Sequence, residues 1–124
     1  MTTKRVLSVG QCMADHGAIS RTLRQAFGAE VAAADGIDDA LTRLRAEEFA
    51  LVLVNRVFDA DGDSGLDLIK ALKADAALQR VAVMLVSDYE DAQAQAAAAG
   101  AAPGFGKAAL GQPAMLDRVK PYLA

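Results

Sequence analysis

Asp59, Asp61 and Asp63 alternate through the run Asp59-Ala60-Asp61-Gly62-Asp63-Ser64-Gly65, a spacing that resembles the start of a calcium loop. An EF-hand loop then needs glycine at its sixth place and a bidentate glutamate at its twelfth. Ser64 and Lys70 stand there instead. The run reads as a solvated loop, with Ser64 capping the helix that follows and Asp67 near its positive end. Cys12 and His16 lie one helical turn apart. Two ligands do not make a structural zinc site, so no metal is expected there. Nothing orients the single histidine as a nucleophilic triad requires. The segment from Gly100 to Lys107 has glycines and a lysine without the strand-to-helix spacing of a phosphate loop. Ser87 and Glu90, three apart, fit a capping box that opens a helix. Lys107 has water, Asp59, Asp88 or a bound anion as its options.

These residues sit on a chain that alternates short apolar runs with helical stripes. Val6 to Val9, Glu30 to Ala34, Leu51 to Val54, Val81 to Val86 and a stretch at Phe105 read as strands. Ile19, Leu23, Ala26 and Phe27 recur at helical spacing, and Gly28 stops that helix. Further stripes cover Ala40 to Ala46, Leu66 to Leu72, Glu90 to Ala99 and Leu110 to Leu123, with Pro113 near the first turn of the last. Strand and helix in strict succession predict an α/β fold, a doubly wound parallel sheet of five strands with five helices. No linker divides residues 1–124, so one domain is expected. In such sheets function gathers at the carboxyl ends of the strands. Those ends are Gly10-Gln11, Asn55-Arg56, Ser87-Asp88 and Gly106-Lys107.

Composition narrows the classes. Thirteen basic against sixteen acidic side chains leave a net charge of −3, which gives no reason to expect nucleic acid as a partner. Aromatics are 5% and tryptophan is absent, so base- or sugar-stacking platforms are not expected. The longest apolar runs are far short of the ~20 residues that span a bilayer. Lys4-Arg5 leads into a strand without a cleavage pattern, and one cysteine excludes an internal disulfide. The expected setting is the cytoplasm, with no membrane partner.

Three stretches in order resemble the receiver domain of two-component response regulators. They are Leu51-Val52-Leu53-Val54-Asn55, then Gly62-Asp63-Ser64-Gly65-Leu66-Asp67-Leu68-Ile69, then Val83-Met84-Leu85-Val86-Ser87 followed by Ala99-Gly100-Ala101 and Gly106-Lys107. The resemblance covers essentially the whole chain. It implies a flavodoxin-like sheet in strand order 2-1-3-4-5, and transfer of a phosphoryl group from a histidine kinase to an aspartate ending the third strand. Two acidic residues after the first strand join that aspartate in holding magnesium. A hydroxyl and a lysine bind the phosphoryl oxygens, and an aromatic on the fifth strand reports the state. Asp15-His16-Gly17 is also similar to the histidine motif of cobalamin-binding domains. That motif wants Asp two places before the histidine and Gly three after, where Ala14 and Ile19 stand.

Carried across residue by residue, the receiver chemistry is broken. Gly10 and Gln11 fill the acidic-pair positions and Asn55 the phosphoacceptor position, while Ser87 and Lys107 match the hydroxyl and lysine. The reporter position falls on Gly104, and Phe105 should face the other side of the strand. Ala108 follows Lys107 where the family has proline, and a cis bond there would cost about 2.5–4 kcal/mol. A neutral carboxamide is no acyl-phosphate nucleophile. Magnesium wants hard oxygen ligands and negative charge, so its binding is expected to be lost and no cofactor is expected. The chain then reads as a degenerate pseudo-receiver, not an enzyme, acting by protein–protein contact. Its surface would be the fourth helix, fifth strand and fifth helix, with Tyr89, Gln93, Gln95 and Tyr122 as contacts. Partners would be a histidine kinase, an output domain or a second copy. The alternatives are a competent receiver with an atypical acceptor among Asp59, Asp61 and Asp63, or a pocket for a small anion or metabolite.

Overall fold

The computed structural model describes residues 3–124. Its elements are β1 (Arg5–Val9), α1 (Met13–Phe27), β2 (Glu30–Ala34), α2 (Ile37–Ala46), β3 (Leu51–Asn55), α3 (Gly65–Ala74), β4 (Val83–Val86), α4 (Glu90–Ala98), β5 (Ala102–Phe105) and α5 (Pro113–Leu123). All strand pairs are parallel, and the order is β2-β1-β3-β4-β5. The chain reverses direction across the sheet between β1 and β3. Here Val9 pairs with Val54 while Asn55 pairs with Val86 on the other side.

Side chains alternate across a strand, so the central strands feed two cores at once. Leu7, Val9, Val52, Val54, Val83 and Leu85 pack with Leu44, Ile69 and Leu72 on one face. Val6, Leu51, Leu53, Met84 and Val86 pack with Ile19, Leu23, Met115 and Val119 on the other. Burial on both faces is why β3 and β4 carry no polar alternation.

Helix ends follow local chemistry. α1 stops where Gly28 takes the left-handed conformation (φ +66°) and donates its N–H to Arg24 O. α5 begins with Pro113 in its first turn, and Leu110–Gln112 lie outside it. The apolar stripe from Leu110 suggested an earlier start. Gly111, at φ +78°, breaks that continuity, and residues Lys107–Ala109 form a separate 3-10 turn. Likewise β4 starts at Val83, because Val81 closes a turn onto Leu78 O. α4 buries only Ala96 completely, so it has the thinnest apolar anchor of the helices. The topology thus gathers Gly10, Asn55, Ser87 and Lys107 at one end of the sheet.

Candidate functional site

Gly10 is the pivot of this end. It leaves β1 at φ +73°, a conformation that glycine adopts without strain. Its N–H bonds to Ala34 O (2.8 Å), and its carbonyl accepts from Asp59 N (3.0 Å) and from Asn55 Nδ2 (3.0 Å). A Cβ at position 10 would meet the ring of Phe58, lying 2.6 Å from its Cγ and 2.9 Å from its Cε1. Phe58 is 1% exposed. An aromatic ring therefore fills the space into which a side chain at position 10 would point.

Asn55 is buried and its amide is fully employed. Nδ2 donates to Gly10 O and to Val57 O (2.7 Å), and Oδ1 accepts from Arg56 N (3.0 Å). Only a carboxamide can donate twice and accept once in this place. A carboxylate has no donor. Asn55 thus ties the end of β1 to the loop after β3.

The partners of the site differ from those the sequence suggested. Lys107 is held by Asp15, in the first turn of α1, with Nζ–Oδ2 at 2.8 Å. Asp15 pulls the Lys107 ammonium pKa up through this hydrogen bond, partial burial opposes it, and Asp59 adds a weaker favourable field. The same hydrogen bond holds the Asp15 carboxyl below its ordinary range, against a smaller effect of burial, with Cys12 assisting. The Lys107 charge is therefore matched by a carboxylate outside the options its sequence position offered. Asp15 went unassigned because it sits five places past Gly10, beyond the strand-end positions; its place in the first helical turn was the available signal. Cys12 caps α1, its Sγ accepting from Asp15 N at 3.5 Å.

Ser87 is buried, and its Oγ accepts from Tyr89 N at 3.1 Å. The capping box with Glu90 does not form, because α4 starts two residues later than that box requires and Tyr89 takes the N-cap place. Ser64 holds the N-cap place of α3, but its side chain makes no capping bond. The Lys107–Ala108 peptide is trans, as are all bonds among the described residues, and Ala108 N donates to the Asp88 carboxylate at 3.3 Å.

Gln93, expected on the contact surface, turns inward. Its Nε2 donates to Leu85 O (2.9 Å) and Ser87 O (3.0 Å). Its amide occupies the space a side chain at Gly104 would need, 2.9 Å from that Cβ position. The β4–β5 register shifts at this level, between Met84 and Val86, leaving carbonyls for the amide to satisfy. Phe105 is buried in the core beside α1 and α5.

Asn55, Ser87 and Lys107 do come together, lining a cleft of about 360 Å³ with Arg56, Asp88 and Tyr89. Arg56 stacks on the Tyr89 ring at 4.8 Å. Gln11 is not in this cleft; it faces a separate cavity between β1, β2 and α1. Asp59, Asp61 and Asp63 are exposed on the loop before α3, and Asp61 Oδ1 accepts from Asp63 N (2.9 Å). The donor set does not fit magnesium. Asn55 presents N–H groups to the pivot, Gly10 presents a ring-covered backbone, and no cluster of three His, Cys, Asp or Glu side chains suited to a metal exists among the described residues. Among the described residues, no helix is long and apolar enough to cross a membrane.

No protein-family model matches the chain, and no curated protein matches it. Solved structures do. A response regulator from Chloroflexus aurantiacus is 19% identical, with 98% of each chain covered and a TM-score of 0.85. One from Thermotoga maritima is 26% identical over 98% of each chain, with a TM-score of 0.76. A third, from Burkholderia pseudomallei, was solved with a phosphorylated aspartic acid and a calcium ion; it is 25% identical, with a TM-score of 0.73, over 98% of this chain and 66% of that one. The chain has the receiver fold of two-component response regulators, with the flavodoxin-like strand order anticipated above.

Proposed function

We propose that this chain is a pseudo-receiver: a signalling module of the two-component kind that takes no phosphoryl group and acts by binding another protein. The observation that supports it most is the amide of Asn55, which donates to Gly10 O and Val57 O. The group at the acceptor position is thereby a structural staple. It offers no anionic oxygen for attack on phosphorus. Without a phosphoryl switch, the populations of its states respond to partner binding or abundance, since only unequal binding shifts an equilibrium.

The contact surface of this reading is the α4–β5–α5 face. Ala94, Ala97 and Ala98 give α4 a low profile. Gln95 and Tyr89 (62% exposed), expected among the contacts, instead line a groove on the α3 side of α4 with Ser64 and Leu66. Tyr122 contributes from α5, half-buried. A histidine kinase, an output domain or a second copy would dock there.

Incubation with acetyl phosphate and magnesium, followed by intact-mass spectrometry, tests the proposal. The wild type should gain no phosphoryl mass. A gain abolished by Asp59→Asn would establish the second reading, an acceptor on the loop. Asp59 favours that reading because its charge is felt by Lys107 and its backbone is fixed by Gly10 O. A third reading, small-anion binding in the 360 Å³ cleft, requires Lys107 to leave Asp15. Calorimetry with phosphate and nucleotides should be silent if that pair holds.

A further inference from the structure

A second polar site lies across β1 from the cleft. Ser8, 1% exposed, points by strand alternation to the α1 side of the sheet, the side of its neighbour Val6. Its hydroxyl has no hydrogen-bond partner in the protein. Neither does Gln11 Oε1, Gln11 Nε2 or His16 Nδ1, and all four atoms are buried. Buried polar groups are nearly always paired, because an unpaired one costs about 1–3 kcal/mol. Four orphans in one place therefore point to an occupant from outside the chain.

The three side chains line one cavity of about 100 Å³, with Met13 and Asp35 at its edge. A water's share of liquid volume is roughly 30 Å³, so the space holds about three waters or one small organic group. The wall chemistry selects among groups. Neither lysine nor arginine lines the cavity, which disfavours an anion. The one carboxylate, Asp35, is exposed, and the inner groups are an amide, a hydroxyl and an imidazole, with no carboxylate among them to cradle a bare cation. Gln11 presents a donor and an acceptor side by side. Ser8 can serve either way by rotating its hydroxyl, and His16 Nδ1 according to its tautomer.

We propose that the β1–β2–α1 cavity is a binding site for an uncharged primary-amide or urea-type group, which pairs edge to edge with the Gln11 carboxamide and reaches Ser8 and His16. The group enters between Met13 and Asp35, alone or as the tip of a larger molecule. Met13 is 93% exposed, so the entrance is not covered by the core. The site is independent of the phosphoryl argument, since it shares no lining residue with the cleft at Asn55.

Titration of the full-length isotope-labelled chain with acetamide, followed by proton–nitrogen NMR, is the test. The backbone amides of Ser8, Gln11 and Ala33 and the Gln11 side-chain amide should shift together and saturate. Acetate, matched in shape but charged, should leave them in place. Ser8→Ala and Gln11→Leu should each weaken acetamide binding at least tenfold while keeping a dispersed spectrum. If one variant loses its fold, the other carries the comparison. Shifts that never saturate, that acetate reproduces, or that survive in both folded variants would show a cavity holding ordered water only and overturn the proposal.

Discussion

The two sides of the strand-end cleft are held together in different ways. On the β1–β3 side, Gly10, Asn55 and Phe58 interlock through backbone conformation, buried hydrogen bonds and an aromatic ring. On the β4–β5 side, Ser87 and Lys107 keep the residue types of the receiver pattern, and Lys107 is satisfied by a partly exposed ion pair. The first side is held by buried, uncharged contacts. The second holds its polar groups by interactions that solvent weakens. A single substitution should therefore cost more on the first side than on the second.

The strongest challenge to that contrast is Gly10→Asp, which restores one carboxylate of the receiver pattern. Its Cβ meets the Phe58 ring, its backbone must hold φ +73°, and its charge enters an apolar contact. The left-handed conformation costs roughly 1–2 kcal/mol, and overpacking about 1–3 kcal/mol more. Urea unfolding should show a loss of about 3 kcal/mol or more. A loss below about 1 kcal/mol would mean that Phe58 moves aside freely and that this side is not interlocked.

Asn55→Asp sharpens the same contrast at smaller cost. Both donated hydrogen bonds vanish, and a carboxylate oxygen faces the carbonyls of Gly10 and Val57. Gly10 O keeps Asp59 N, which limits the damage. A loss of about 2–3 kcal/mol at neutral pH is expected. The deficit relative to wild type should shrink on acidification, because a protonated carboxyl regains one donor. The variant should also remain unphosphorylated by acetyl phosphate. A stable, phosphate-accepting variant would show that a single atom change suffices to restore the chemistry.

How far the sequence carried this picture depends on the range of the interactions concerned. Strand and helix identities were legible because hydrophobic period is a local property: the runs at Leu51–Val54 and Val81–Val86 read as strands covered on both faces, and the second forms from Val83 onward. That Asn55, Ser87 and Lys107 meet at the strand ends was legible from order and spacing, whereas Gln11 faces a separate cavity. What surrounds these positions was not, because each neighbour comes from another element. Phe58 reaches Gly10 across the sheet end, and Asp15 reaches Lys107 from α1 to the 3-10 turn after β5. Gln93 illustrates the limit. On a polar, alanine-rich helix it looks like a surface residue, and only the register shift between β4 and β5 explains why its amide is drawn inward. The weak apolar anchor of α4 was itself a clue, since a helix that buries so little needs polar attachment.

Asp15→Asn probes the other side, where the smallest effect is expected. The carboxyl and ammonium are 2.8 Å apart, but the two side chains are 23% and 44% exposed, so solvent screens the pair to below about 1 kcal/mol. Lys107 holds the Asp15 carboxyl below its ordinary range. That contribution is complete above the ordinary carboxylate value near ~3.9 and disappears as pH falls through the lower native value. Asp15 raises Lys107. That contribution is complete below about 10.4 and disappears as pH rises through the higher native value. The stability gap between wild type and Asp15→Asn should therefore be a plateau between those limits, closing at both ends and shrinking with added salt. A gap that persists after Asp15 is protonated would assign its role to the geometry of the α1 turn, where Cys12 also engages it, and would make this side as structural as the other.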